Sequence, residues 1–187
     1  MPRLFVAVDL PDEVAFRLER LCIGLPGVRW TPPDQFHLTL RFIGEVDHST
    51  FYDIGEGLGS VSLRPFEIGL KGLGLFPPRG APHTLWAGVD DPEGGLATLK
   101  RRIDRVVDGV GVEPERRKFT AHVTLGRFRE PPPVDRLTSY LASRGLFRSE
   151  HFPVSGFTLY SSVLRPEGAL HTVEAAYDFV SGVMERV

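Results

Sequence analysis

Two tetrads constrain this chain more than any other feature: His37-Leu38-Thr39-Leu40 and His122-Val123-Thr124-Leu125. Each alternates a polar with an apolar side chain. On a strand, successive side chains point to opposite faces, so His37 and Thr39 share one face while Leu38 and Leu40 anchor the other. The second tetrad repeats the arrangement with His122 and Thr124 against Val123 and Leu125. From this composition a single tetrad of this kind is expected on the order of 0.05 times per chain. Two of them, in corresponding contexts, set the pair apart from chance.

The surrounding pattern supplies those contexts. Arg3 to Leu10 reads as a strand. Pro11-Asp12-Glu13 opens a helix that runs to about Gly24. Gly27 to Pro33 reads as a loop and Phe36 to Glu45 as a strand. Asp47 to about Gly59 reads as a helix capped by Asp47 or Ser49. Pro65 to Phe76 is a long strand, Pro77 to His83 a loop, and Thr84 to Val89 another strand. Gly95 to Val110 carries Leu96, Leu99, Ile103, Val106 and Val107 at helical spacing. Phe119 to Arg129 is a strand. The three prolines from Pro131 break the chain before a short helix over Val134 to Arg144. Phe152 to Leu164 and Leu170 to Phe179 are strands joined by the turn RPEG. A His-Thr strand, a helix and a strand pair thus occur in each half, which hints at duplication. The order favours mixed α+β layers over a parallel sheet.

With 187 residues and 42% hydrophobic content, the chain fits a single globular domain over residues 1–187. Its one cysteine, Cys22, excludes an intramolecular disulfide and a cysteine-based zinc site. A net charge of −2 argues against a non-specific nucleic-acid coat protein, though it leaves room for a small basic groove. Arginines outnumber lysines, which suits bidentate phosphate contacts. The N-terminal apolar run is too short for a membrane span and lacks a cleavage pattern. A cytoplasmic protein with no membrane partner, acting as a monomer, is the expectation.

Neither tetrad has a carboxylate or cysteine at metal-ligand spacing, and threonine is a poor zinc ligand, so neither metal nor cofactor is expected. No Gly-x-Ser-x-Gly elbow and no Gly-rich phosphate loop is present. Two imidazoles near neutrality make a complementary acid and base. In-line displacement at phosphorus needs one of them on each side of the phosphate. The threonine hydroxyls can bond the non-bridging oxygens, and an arginine can stabilise the added charge.

The paired HLTL and HVTL motifs, with RLFVAVDLP at the N-terminus, HLTLRFIGEV around the first tetrad and FTLYSS near the C-terminus, resemble the two-histidine phosphoesterases. Among these the chain is most similar to the bacterial and archaeal RNA 2′,3′-cyclic phosphodiesterases, the LigT-like proteins long called 2′-5′ RNA ligases. The resemblance runs from Arg3 to Phe179. It implies two pseudo-twofold-related lobes, each a mainly antiparallel sheet with helices outside, and an active-site groove between them. It also implies hydrolysis of RNA 2′,3′-cyclic phosphate ends to 2′-phosphates without a metal, tRNA fragments being among the RNA partners. His122 would be the general base, His37 the general acid, and Thr39 and Thr124 the phosphate holders. Arg127 matches an arginine that often follows the second motif. Alternatives are a 2′-5′ RNA ligase, a phosphodiesterase for small cyclic nucleotides, and a non-catalytic RNA-binding module. A bell-shaped rate profile around neutral pH is expected.

Strict alternation sends Arg127 away from His122 and Thr124. A bulge at Gly126 would turn it back as a phosphate ligand; otherwise it is a surface arginine. Arg41 has the parity of His37 and Thr39 and is expected to face the groove as an RNA-phosphate contact, with a solvated strand-end charge as the alternative. Phe42 is expected in the core. Phe5 reads as core, with the groove wall as its alternative, and Trp30, Phe76 and Tyr160 are candidates to stack a base. Arg79 reads as a solvated loop charge. His48, His83, His151 and His171 are expected in surface or structural roles.

Overall fold

The computed structural model describes residues 3–165 and 168–179. Its elements are β1 (Arg3–Asp9), α1 (Asp12–Glu19), β2 (Val28–Trp30), a 3-10 turn (Pro33–Gln35), β3 (His37–Gly44), α2 (His48–Leu58), β4 (Phe66–Phe76) and β5 (Thr84–Asp90). Then follow α3 (Gly95–Gly109), β6 (His122–Phe128), α4 (Val134–Arg144), β7 (Phe152–Val154), β8 (Gly156–Arg165) and β9 (Gly168–Asp178). The fold is α+β, as expected. The RPEG turn includes Pro166 and Glu167, which lie outside the described residues.

The helices form where their ends are satisfied. The Asp47 carboxylate accepts the Thr50 N–H at 2.8 Å and the Ser49 hydroxyl at 2.7 Å, so Asp47 is the cap of α2. The Asp91 carboxylate accepts the N–H groups of Gly95 and Leu96 at the start of α3. Leu96, Leu99, Ile103 and Val107 then bury one face of that helix, while Val106 is only half-buried. Helix α1 ends at Glu19, short of the expected Gly24.

Eight strands form one antiparallel path in the order β7-β4-β5-β6-β3-β1-β8-β9, and β2 pairs with β6 beside it. The path is symmetric about its centre. Outward from β3 come β1, β8 and β9; outward from β6 come β5, β4 and β7. The strand pair that follows the first tetrad, β4 and β5, lies in the half of the second, and β8 and β9 lie in the half of the first. The two halves of the sequence have exchanged partners. Where they meet, β3 and β6 share one bridge, Leu38 opposite Val123.

Two further differences from the sequence reading shape the sheet. The expected strand from Phe152 is two strands: Phe152–Val154 pairs with β4, while Gly156 onward pairs with β9 and, from Thr158, with β1. Only Ser155 separates them, so the β4 edge must come within one residue of β8, and the sheet has to curl. The expected loop at Gly27 to Pro33 contains β2, which pairs with the far end of β6. Gly126 permits this: a Cβ there would lie 2.5 Å from Val28 Cγ1 and 3.0 Å from the Arg29 carbonyl oxygen. The core fills the convex side of the curl. It takes Leu4, Val6 and Val8 from β1, Leu38 and Leu40 from β3, and Val123 and Leu125 from β6, under the helices. Among the described residues no helix is long and apolar enough to cross a membrane.

Candidate active site

The bridge between Leu38 and Val123 fixes the site. Both side chains are fully buried on the core side. Their neighbours His37, Thr39, His122 and Thr124 are half-buried on the opposite, concave side. Extending the antiparallel register by one residue each way sets His37 beside Thr124 and Thr39 beside His122. The two imidazoles therefore sit diagonally across the seam, one from each half.

Both rings are held in the same way. His37 Nδ1 lies 2.8 Å from the Gln35 carbonyl oxygen, and His122 Nδ1 lies 2.6 Å from that of Thr120. A carbonyl only accepts, so each Nδ1 carries the proton and donates it. That leaves each Nε2 to take up or give up a proton, which is the atom an acid or base needs. Burial is the main influence on both and disfavours the charged form. It lowers His37 to about 4 and also lowers His122, where the nearby Arg127 charge acts in the same direction.

The parity problem beyond each tetrad resolves the same way on both strands. Opposite β5, the register skips a residue between Thr124 and Gly126, so Leu125 is the extra residue of a bulge. Arg127 is thereby returned to the side of His122 and Thr124. It is exposed, and its Nη1 donates to Thr84 Oγ1 at 3.4 Å. Opposite β1, the register skips between Thr39 and Arg41, so Leu40 is the extra residue there. This second bulge overturns the expectation for Arg41. Arg41 turns to the core side and is 2% exposed. It donates to Asp104 at 3.2 Å, to Asp108 at 2.8 Å and to the Glu113 carbonyl at 2.8 Å. It is therefore not a groove residue. The same bulge puts Phe42, expected in the core, 61% exposed on the concave side.

Arg41 still bears on the site from behind. Its bond to Glu113, with Lys100 reaching Glu115 at 3.3 Å and lying over the Phe119 ring at 5.4 Å, ties down the loop after α3. That loop leads to Thr120, whose carbonyl orients His122.

Aromatic rings line the groove. Phe5 is buried but outside the core cluster; its ring lies 5.0 Å from His37 and stacks on Tyr160 at 5.2 Å. It is a wall of the groove rather than core. The Tyr160 hydroxyl donates to Asp9, which also accepts from Thr158 at 2.6 Å. Phe76 meets His122 edge-on at 4.9 Å. Trp30 instead lies over Gly126 on the core side of β2 and near Tyr140.

Two residues come to the site without a signal that was read in the sequence. Trp86 lies 5.9 Å from His122, in the space left by the missing side chain of Gly74. Its alternation with Thr84 on β5 was the available signal. His171, expected in a surface or structural role, lies edge-on to His37 at 5.2 Å because the curl carries the β8–β9 hairpin over the first half. His48, His83 and Arg79 remain exposed. His151 is 3.5 Å from Asp90.

A curled antiparallel sheet with a His-x-Thr pair from each half, converging on one groove, defines a two-histidine phosphoesterase. The chain belongs to the LigT-like phosphoesterase family, whose model matches residues 8–86 and 88–171. A protein of Archaeoglobus fulgidus named RNA 2′,3′-cyclic phosphodiesterase is 34% identical over 173 residues, covering 90% of this chain and 96% of its own. One of the same name from Thermus thermophilus is 36% identical over 186 residues, covering 91% and 87%. A crystal structure of a Thermus thermophilus protein superposes with a TM-score of 0.81 at 28% identity, covering 95% of this chain and 97% of that one. The Escherichia coli LigT complexed with 3′-AMP superposes at 0.75 with 25% identity, covering 96% and 99%.

Proposed function

We propose that this chain is an RNA 2′,3′-cyclic phosphodiesterase, working as one bilobal domain with both halves contributing to each turnover. The observation that carries the reading is the matched pair of imidazoles. Each is fixed through Nδ1 by a carbonyl two residues upstream, and they lie diagonally across the β3–β6 seam with a threonine beside each. The name shared by the Archaeoglobus and Thermus relatives supports the substrate.

The cyclic phosphate lies over the seam with its non-bridging oxygens on the Thr39 and Thr124 hydroxyls and on Arg127. His122 Nε2 takes a proton from water as the water oxygen bonds to phosphorus. The bond from phosphorus to the 3′ oxygen breaks, and His37 Nε2 supplies the proton that this oxygen needs. The product is a 2′-phosphate, and the two imidazoles have exchanged charge states. Both proton transfers belong to the chain's own side chains, so the reaction needs no metal. Burial disfavours charge on His37, and the negative phosphate supplies the partner that the imidazolium lacks.

Product analysis on an RNA ending in a 2′,3′-cyclic phosphate tests this. The expected product is the 2′-phosphate, formed equally well with a chelator. Formation of the 3′-phosphate would mean that the bond to the 2′ oxygen breaks instead, and would overturn the proposed placement of the 3′ oxygen at His37. A loss of rate with chelator, restored by a divalent ion, would replace the mechanism. Joining of paired tRNA halves in preference to hydrolysis would make ligation the main activity.

A further inference from the structure

Beyond Thr124 the concave side of β6 carries Arg127, and β2 places Arg29 directly opposite it. Residues directly opposite in an antiparallel pair project to the same side, with Cβ atoms about 4.5–5.5 Å apart. Like charges so placed destabilise a sheet. Both arginines are exposed, and among the described residues neither has a carboxylate within 4.0 Å. Arg127 has the Thr84 hydroxyl on its other side; Arg29 has no side-chain hydrogen bond among the described residues. Arg29 also lies under the β8–β9 hairpin: a Cβ at Gly168 would be 3.3 Å from its Nη2. The two arginines thus share a register position and one side of the sheet, one row beyond Thr124, with the Arg127 guanidinium turned to Thr84 and that of Arg29 to Gly168. The pseudo-equivalent place on β3 holds Phe42, with Phe5 opposite. Past the bulges, the groove-side position is cationic on β6 and aromatic on β3.

We infer that Arg29 is a second phosphate contact beside Arg127, taking the phosphodiester on the 5′ side of the terminal nucleotide. The inference rests on the proposed phosphodiesterase reading. Arg127 is the nearer of the two to His122 and serves the reacting phosphate. The next negative charge along an RNA strand is the 5′ phosphodiester, and a cyclic mononucleotide lacks it. Arg29 is then what makes an oligonucleotide end a better substrate than a cyclic mononucleotide.

The test compares kcat/KM for a 2′,3′-cyclic mononucleotide and for a trinucleotide ending in a 2′,3′-cyclic phosphate, with wild type, Arg29→Gln and Arg29→Lys. In Arg29→Gln the trinucleotide-to-mononucleotide ratio is expected to fall about tenfold, the size of one charge-assisted contact. Arg29→Lys should restore part of it, because lysine keeps the charge without the bidentate fork. The slope of log kcat/KM against log salt for the trinucleotide should become shallower by about 0.7 in Arg29→Gln. An unchanged ratio and slope, or an equal fall with both substrates, would overturn the inference. A fluorescence titration with a trinucleotide ending in a 2′-phosphate separates the two readings. If wild type turns over neither substrate, the phosphodiesterase reading fails. Weaker, less salt-dependent binding by Arg29→Gln would still uphold the subsite, and equal binding would end it.

Discussion

Strands β3 and β6 begin alike and end differently. Each starts with a histidine tied to a carbonyl two residues back, offers a threonine two residues on, and bulges at the fourth residue of its tetrad. Past the bulge β3 continues with Arg41 and Phe42, and β6 with Gly126 and Arg127. The core-side place is therefore a buried arginine on one strand and a glycine under β2 on the other. The groove-side place is an aromatic ring on one strand and a cation on the other. On the proposed mechanism, the twofold is kept where displacement at phosphorus is itself two-sided, with one proton acceptor and one proton donor, and it is dropped where an RNA end would have direction.

The strongest way to break this comparison is to remove each histidine in turn. His37→Ala and His122→Ala are each expected to lower kcat/KM about a hundred- to ten-thousandfold while circular dichroism shows an intact fold. If one variant stayed near wild type, the equivalence of the two halves would be lost, and with it the paired acid and base.

The two arginines divide next, and in opposite readouts. Arg41→Met leaves Asp108 without its charged partner and Asp104 with Lys100 alone, and should destabilise the fold by about 3 kcal/mol in urea unfolding. Arg127→Met should leave urea unfolding nearly unchanged, as expected for an exposed arginine. It should lower kcat/KM about tenfold or more through the lost phosphate contact. Equal stability losses in both variants would mean that the bulges do not sort these side chains as described.

The smallest effect separates the imidazoles by pH. The proposed mechanism needs His37 charged and His122 neutral. In the free protein burial lowers both below the usual value near 6.5, His37 to about 4. The profile of kcat/KM, which reports the free enzyme, should therefore peak on the acid side of pH 6.5 rather than at neutrality. Bound phosphate favours the imidazolium, so the basic limb of kcat should lie at higher pH than that of kcat/KM. Coincident profiles peaking above pH 7 would remove burial as the control.

Much of the site was legible in the residues themselves. Alternation over four positions is local, so His37, Thr39, His122 and Thr124 could be assigned to one side of their strands without any neighbour. The bulge needed for Arg127 could be suspected from Gly126. Arg41 could not be placed in the same way. Nothing at Leu40 marks a bulge, because the extra residue exists only relative to the count on β1. Phe42 failed for the same reason. β2 was too short to read as a strand, since three residues carry little periodicity and its partner is distant in sequence.

By itself, then, the sequence determined most of the elements, the paired His-x-Thr faces and, for the proposed displacement at phosphorus, the reason for two of them. Those follow from backbone alternation and from the chemistry of displacement. Tertiary structure alone decided which arginine enters the groove, that β2 brings Arg29 beside it, and that His171 and Trp86 border the histidines. Register between strands and the curl that Ser155 imposes are relations between distant segments, and neither is written in the local pattern of either one.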